Sequence, residues 1–205
     1  MMPVRRFNSI VWVLLLWVAF GCGSNSGWGA SSDSFRSHWL EIIEASHNWH
    51  PDSVPVWGTS HSNVDIGGHI KCSEDTPATG WTTIFYSSSS KKYLHVNNCK
   101  SKIESKEFTR DFPYPPKSLP DSFIDTDRLA RSVSRIAHGW NLQSCDFDAT
   151  LRMVEEMATM DKDFPPESAL WEVSLSCSGD VGGTIVVEAS PGKILRKKRH
   201  STKGE

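Results

Sequence analysis

The chain lacks the signatures by which most enzymes are recognised. No Gly-x-Ser-x-Gly, His-Glu-x-x-His, phosphate loop or dinucleotide glycine fingerprint occurs in its 205 residues, so nothing points to the common hydrolases, zinc proteases or nucleotide enzymes. Asp146-x-Asp148 and Asp161-x-Asp163 lack the downstream glycine and glutamate of a calcium loop. Asp125-x-Asp127 reads instead as the start of a helix. No Cys-x-x-Cys spacing is present, and zinc sites usually take their ligands in close pairs. An excess of charge is missing too. With 22 Lys+Arg against 24 Asp+Glu the net charge is -2, which gives no whole-chain reason to expect nucleic acid or an anionic surface as partner. Beyond residue 20 there is no long apolar run.

The apolar run that does exist is at the start. "MMPVRRF" is a short basic region and "IVWVLLLWVAF" an apolar one, too short to span a bilayer comfortably as a helix. Residues 1–22 therefore read as a secretory signal. "VAFGC" partly resembles a bacterial lipobox, in which Cys22 becomes a lipidated N-terminus. Ala19 and Gly21 equally suit an ordinary small-x-small cleavage, and an uncleaved anchor is the third possibility. Residues 23–33, "GSNSGWGASSD", are Gly/Ser-rich and aperiodic, as a flexible tether would be.

Setting Cys22 aside leaves Cys72, Cys99, Cys145 and Cys177. In an exported chain an even number suggests two disulfides, with three possible connectivities. Four buried thiols is the plainer alternative.

Two stretches read almost alike. "WTTIFYSSSSKKYLHVNNCKSKI" begins at Trp81 and "WEVSLSCSGDVGGTIVVEASPGKIL" at Trp171. Each opens on Trp, alternates as a strand, breaks at a small polar turn, resumes with β-formers and restarts at Lys-Ile. Upstream of each lies a helical stripe. Phe35, Trp39, Ile42 and Ile43 have the same spacing as Leu129, Val133, Ile136 and Ala137. Asp33 or Ser34 suits the first N-cap and Thr126 the second, with Gly139 as a stop. Between helix and Trp strand each half carries a further alternating segment, Val64 to Cys72 and Cys145 to Met153. Whether residues 154–163 continue as strand or helix stays open.

The expected fold class is thus α+β: two similar units, each one helix packed on a small antiparallel sheet. They span residues 34–110 and 123–198, joined by the Pro-rich linker 111–122, "DFPYPPKSLPDS". The repeat favours one cystine in each half, Cys72–Cys99 and Cys145–Cys177, each stabilising by about 3–4 kcal/mol on the chain-entropy model. The tail from Arg196, with residues 199–205 at its end, is a basic run without an apolar face. It is expected to be frayed and solvated, or else to touch anionic lipid or polymer.

The second half resembles a PepSY domain. The residues concerned are "FIDTDRLARSVSRIAHGW", "LWEVSLS" and "TIVVEASPGKILRK". The family pattern has an Asp-led helix, then a strand with an aromatic before a β-branched residue, then a hairpin ending in Gly-Lys. Glu188 stands where that pattern prefers Asp. The resemblance covers residues 122–198, with the first half a more diverged copy. It implies an α+β fold, an exported location, no catalysis and modulation of peptidases. It carries no binding site onto this chain.

Candidate chemistry is confined to "HNWHPDSVPVW". His47 and His50 can share a metal with Asp52 or His38 as third ligand, which would suit a small metal-dependent hydrolase. Trp49 and Trp57 can stack on a sugar or peptide, or can simply fill gaps between helix and sheet. Trp39, Trp81 and Trp171 lie on apolar faces and read as core. The function expected is a non-catalytic, exported binding module of the cell envelope, without cofactor or nucleic acid. Its partner would be an envelope protein, a peptidase or a polymer, with membrane contact through a lipid on Cys22. A carbohydrate-binding module and the hydrolase are the alternatives.

Overall fold

The structure, a computed structural model, describes residues 34–60, 64–65, 68–72, 80–99, 102–110, 115–154, 162–179 and 181–201. The signal, Cys22 and the tether lie outside the described residues. Helix α1 runs Phe35–Trp49, and Ser34 caps it by accepting from the Ser37 N–H. Five strands follow: β1 Ser53–Ser60, β2 Val64–Asp65, β3 Trp81–Ser87, β4 Lys92–Cys99 and β5 Lys102–Phe108. Helix α2 is Thr126–Gly139. Four more strands complete the chain: β6 Cys145–Met153, β7 Ala169–Cys177, β8 Val181–Glu188 and β9 Ile194–Ser201.

The expected pair of separate small sheets is not what forms. All nine strands join one antiparallel sheet in the order β5-β4-β3-β1-β6-β7-β8-β9, with β2 paired beside it to β6. The order reads as two four-strand meanders placed back to back. The seam between them is β1 against β6, where Trp57, Gly58 and Thr59 face Arg152, Leu151 and Thr150. Isolating each half would have left β1 and β6 as raw edges inside the molecule, and such edges seek partners. Here each edge satisfies the other.

A second reason for fusion lies at Phe35. Its ring is fully buried and meets Trp39, Trp81, Trp171 and Phe123 at centroid distances of 5.3, 5.0, 5.5 and 5.7 Å. Trp81 belongs to the first meander and Trp171 to the second, so one ring from α1 closes both. The backbone N–H of Phe35 donates to Thr126 Oγ1 at 3.1 Å, and that of Arg36 to Asp125 Oδ1 at 3.0 Å. The first turns of the two helices are thereby bonded together. On the helix side of the sheet, buried apolar residues of both halves form one continuous cluster, from Phe35 and Ile42 to Ile185 and Val187.

The strand β1 corrects a second expectation. Its sequence, "SVPVWGTS", carries Pro55, which argues against a central strand. The register shifts between Pro55 and Trp57, and a bulge is where a sheet tolerates proline. The Pro55 carbonyl accepts from the Leu119 N–H at 2.7 Å, tying the linker to the sheet. By contrast the alternating segment from Val64 to Cys72 yields only the short β2 and a bridge from Val64 to Ile70. Of the linker, residues 111–114 lie outside the described set, and 115–122 contain no strand or helix.

The basic tail is also corrected. Residues 194–201 pair with β8 as far as Ser201 against Val181. Backbone bonding to β8 holds this segment, so it needs no apolar face. Two disulfides are present, Cys72–Cys99 and Cys145–Cys177, one in each half. The second joins strands already in register, Cys145 facing Cys177. Bonds of this kind persist in oxidising compartments, in agreement with export. No described helix is long and apolar enough to cross a membrane.

A fused core predicts one unfolding event. Phe35→Ala is expected to lower stability by about 3–5 kcal/mol. The denaturation curve should remain a single transition by both Trp fluorescence and far-UV circular dichroism. Two separated transitions would show that the halves are independent.

Candidate functional site

The segment singled out above is dispersed by the fold. Asp52 precedes β1 and reaches the turn between β3 and β4, the "SSSS" of Ser87–Ser90. Its carboxylate accepts from Ser87 Oγ at 2.8 Å, Ser88 Oγ at 3.0 Å, and both the backbone N–H and Oγ of Ser89 at 2.8 and 3.0 Å. The Ser89 backbone bond above all, then the Ser87 hydroxyl, holds its pKa well below the usual carboxylate range. Both oxygens serve a turn, which withdraws Asp52 from the expected ligand set. His47 is exposed near the end of α1, while His38 is buried on the same helix. Among the described residues no three His, Cys, Asp or Glu side chains stand together as a metal would require.

Trp49 ends α1 and is partly buried. Its indole N–H donates to Glu107 Oε2 at 2.8 Å, and Glu107 pairs with Lys92 Nζ at 2.6 Å. The Lys92 bond first, then the Trp49 bond, lowers the Glu107 pKa. The His50 ring packs edge-on against Trp49 with centroids 4.5 Å apart. These groups fasten the end of α1 to the outer strands β4 and β5, through the Trp49 indole N–H, Glu107 and Lys92.

Trp57 is placed differently. Its neighbour Gly58 faces the helices so closely that a Cβ there would lie 2.6 Å from Phe35 Cζ. Strand alternation therefore turns Trp57 to the other, helix-free face of the sheet. The register makes a row across that face: Lys106, His95, Ile84, Trp57 and Arg152, one from each of β5, β4, β3, β1 and β6. At about 4.8 Å per strand this row is roughly 20 Å long. Lys106 is exposed and the other four are half-buried. Arg152 is held by Glu172 at 2.8 Å.

The borders of this patch are covered. On one side Tyr93 lies between Tyr86 and Phe108, with centroid distances of 4.9 and 5.3 Å. On the other, Thr59 bonds Thr150 at 2.9 Å and Thr82 bonds Asn97 at 2.6 Å, with Thr59 and Thr82 themselves buried. Beyond Arg152 a small separate cluster of Val154, Phe164, Leu170 and Val186 closes the same face. What remains open is a strip centred on one indole, with cationic and imidazole groups along it. Sequence reading named Trp57 but neither Ile84, His95 nor Arg152. Only the strand register brings those together.

A second concave surface was not foreseen at all. It lies between α2 and the hairpin joining β8 to β9, as two clefts of about 350 and about 540 Å³ that share Ser132, Arg135 and Gly192 in their walls.

No family model matches the chain, and no curated protein matches it. Among solved structures it is similar to a Clostridium difficile 630 protein provisionally named a lipoprotein. That likeness has 9% identity, covers 79% of this chain and 92% of the other, and has a TM-score of 0.45.

The Asp52 clamp makes a prediction with a definite sign. A carboxylate whose folded pKa is depressed contributes stability above its unfolded value, 3.8 here, and loses it as pH falls through the folded value. Asp52→Asn should therefore lower the melting temperature at pH 7. The gap to the parent should narrow steadily as the buffer is taken below about pH 4. Equal gaps at pH 7 and pH 2 would mean that the charge on Asp52 plays no part.

Proposed function

We propose that this protein is a non-catalytic, exported binding module of the cell envelope, and that it holds its ligand on the helix-free face at Trp57. The observation that carries the reading is the contrast between the two nominated tryptophans. Trp49 packs at the end of α1 against β4 and β5, whereas Trp57 lies half-exposed at the middle of the helix-free face. An indole face flanked by His95, Lys106 and Arg152 offers apolar contact and hydrogen-bond donors side by side. An extended glycan, with apolar ring faces and hydroxyl edges, is the polymer that suits such a strip. With Asp52 used by a turn, the hydrolase reading has lost the carboxylate it relied on.

The finer points belong to the same proposal. Residues 1–22 act as a signal, with Cys22 lipidated, and intact mass of the mature chain tests both. The likeness to PepSY domains applies to α2–β9, where one helix precedes a four-strand meander. Peptidase modulation is the second reading. It is favoured by the outer edge of β5, whose residues Lys102–Glu107 are all exposed and can accept an added strand.

The test is titration with soluble cell-wall oligosaccharides, followed by Trp fluorescence and by calorimetry. Trp57→Ala should weaken binding at least tenfold, about 1.4 kcal/mol, while leaving the far-UV spectrum and melting temperature close to the parent's. Saturable binding that survives Trp57→Ala would remove the strip as the site. A peptide competing at β5 would bind Trp57→Ala and parent alike, which separates the two readings.

A further inference from the structure

The chain carries almost no net charge, yet its cations are segregated. Arg128, Arg131 and Arg135 fall at i, i+3 and i+7 on α2, so they share one exposed face. The opposite face, Leu129, Val133 and Ile136, is buried in the core. The row of guanidinium groups spans about 10 Å along the helix, at roughly 5 Å per charge.

Strand β9 faces this row. Its Lys197 is in register with Ile185 and its Arg199 with Gly183. Ile185 belongs to the core, and a Cβ at Gly183 would collide with the Trp140 ring at 2.4 Å, so both positions lie on the helix side of the sheet. Lys197 and Arg199 therefore stand across from the arginines of α2. The clefts between them are lined by Arg128, Arg131, Arg135 and Lys197, and none of the described lining residues is acidic. Arg135 is oriented by bonds from Nε to the Arg131 carbonyl at 3.2 Å and from a terminal nitrogen to Ser132 Oγ at 3.4 Å. The strand's other two cations, Arg196 and Lys198, alternate with these onto the far face. There Arg196 pairs with Asp163 at 2.8 Å and covers the Phe164 ring.

A lysine-rich edge strand guards against edge-to-edge association, and that alone would explain β9. It does not explain three arginines on a different element aimed into the same concavity. We propose that the α2–β9 cleft binds a linear polyanion carrying a phosphate on each repeat. Guanidinium groups match phosphate oxygens two at a time, and four cations in the walls, with Arg199 on the same face of β9, suit a chain of charges. The concave shape favours a strand of polymer over a flat lipid surface, because a plane reaches the rims of a cleft and not its walls. Nucleic-acid bases would need a stacking platform. The single aromatic in the lining, Trp140, is laid over Gly183 instead.

The probe is inorganic polyphosphate, titrated into the full chain at 50 and 200 mM salt. Binding should weaken about tenfold or more between the two, as release of condensed counterions requires. The variant R128Q/R131Q/K197Q should lose at least about tenfold at 50 mM salt, with an unchanged melting temperature and a flatter salt dependence. K102Q, at the opposite edge of the sheet, should match the parent. Three results would overturn the inference: no binding at 50 mM salt, equal losses in both variants, or tighter binding to anionic phospholipid vesicles or oligo-dT than to polyphosphate. None of the residues named for the Trp57 strip is altered by R128Q/R131Q/K197Q or K102Q, so either proposal can fail without the other.

Discussion

Three residue pairs of β1 and β6, with two more from β2, hold the two halves of this protein in one sheet. Between Trp57–Thr59 and Thr150–Arg152 the backbone ladder is short, and side chains extend it. Thr59 Oγ1 bonds the Ala149 carbonyl at 3.1 Å, and Ser60 Oγ accepts from the Ala149 N–H at 2.9 Å. These groups are buried, where an unmade hydrogen bond costs about 1–3 kcal/mol. The seam is therefore specified as a set, since losing one hydroxyl leaves a backbone group stranded. Directly above it, Phe35 presses on Gly58. Glycine is required there because any side chain would displace the ring that joins Trp81 to Trp171.

That geometry explains what was and was not legible in the sequence. Both helices, the second meander and β3–β5 of the first could be read, because the polar turns interrupt them cleanly and the buried strands and helices follow periods of 2 and 3.6. The strand β1 could not. Its apolar residues do not alternate, Pro55 argues against it, and only the bulge and the partner β6 rescue it. The "HNWHPDSVPVW" segment looked like surface chemistry because it was missing from the strand count. Taking Val64 to Cys72 as the fourth strand of the first half made two small sheets seem sufficient, whereas β1 supplies the pairing that fuses them.

The candidate residues divide along the same line. Asp52 serves a turn 35 positions away, a contact that no local pattern announces. His38, His47 and His50 were grouped by proximity in the chain, but a buried helix face, an exposed helix face and a capping position keep them in unlike settings. The basic cleft was hidden for the opposite reason. Its members lie some sixty positions apart, and the -2 overall charge averages them away. The run in β9 read as a solvated tail because it lacks an apolar face, yet an edge strand can be held by its ladder alone.

Placement on one sheet keeps the two surfaces apart. Trp57 faces away from the helices at the central seam, while Lys197 and Arg199 face α2 at the outer edge. Between them run the fully buried side chains of Leu151, Trp171 and Ile185. Such a core is close-packed and moves between discrete arrangements rather than deforming continuously. If both proposals hold, ligands of different chemistry sit on opposite faces of a single sheet, and the protein joins them as a spacer.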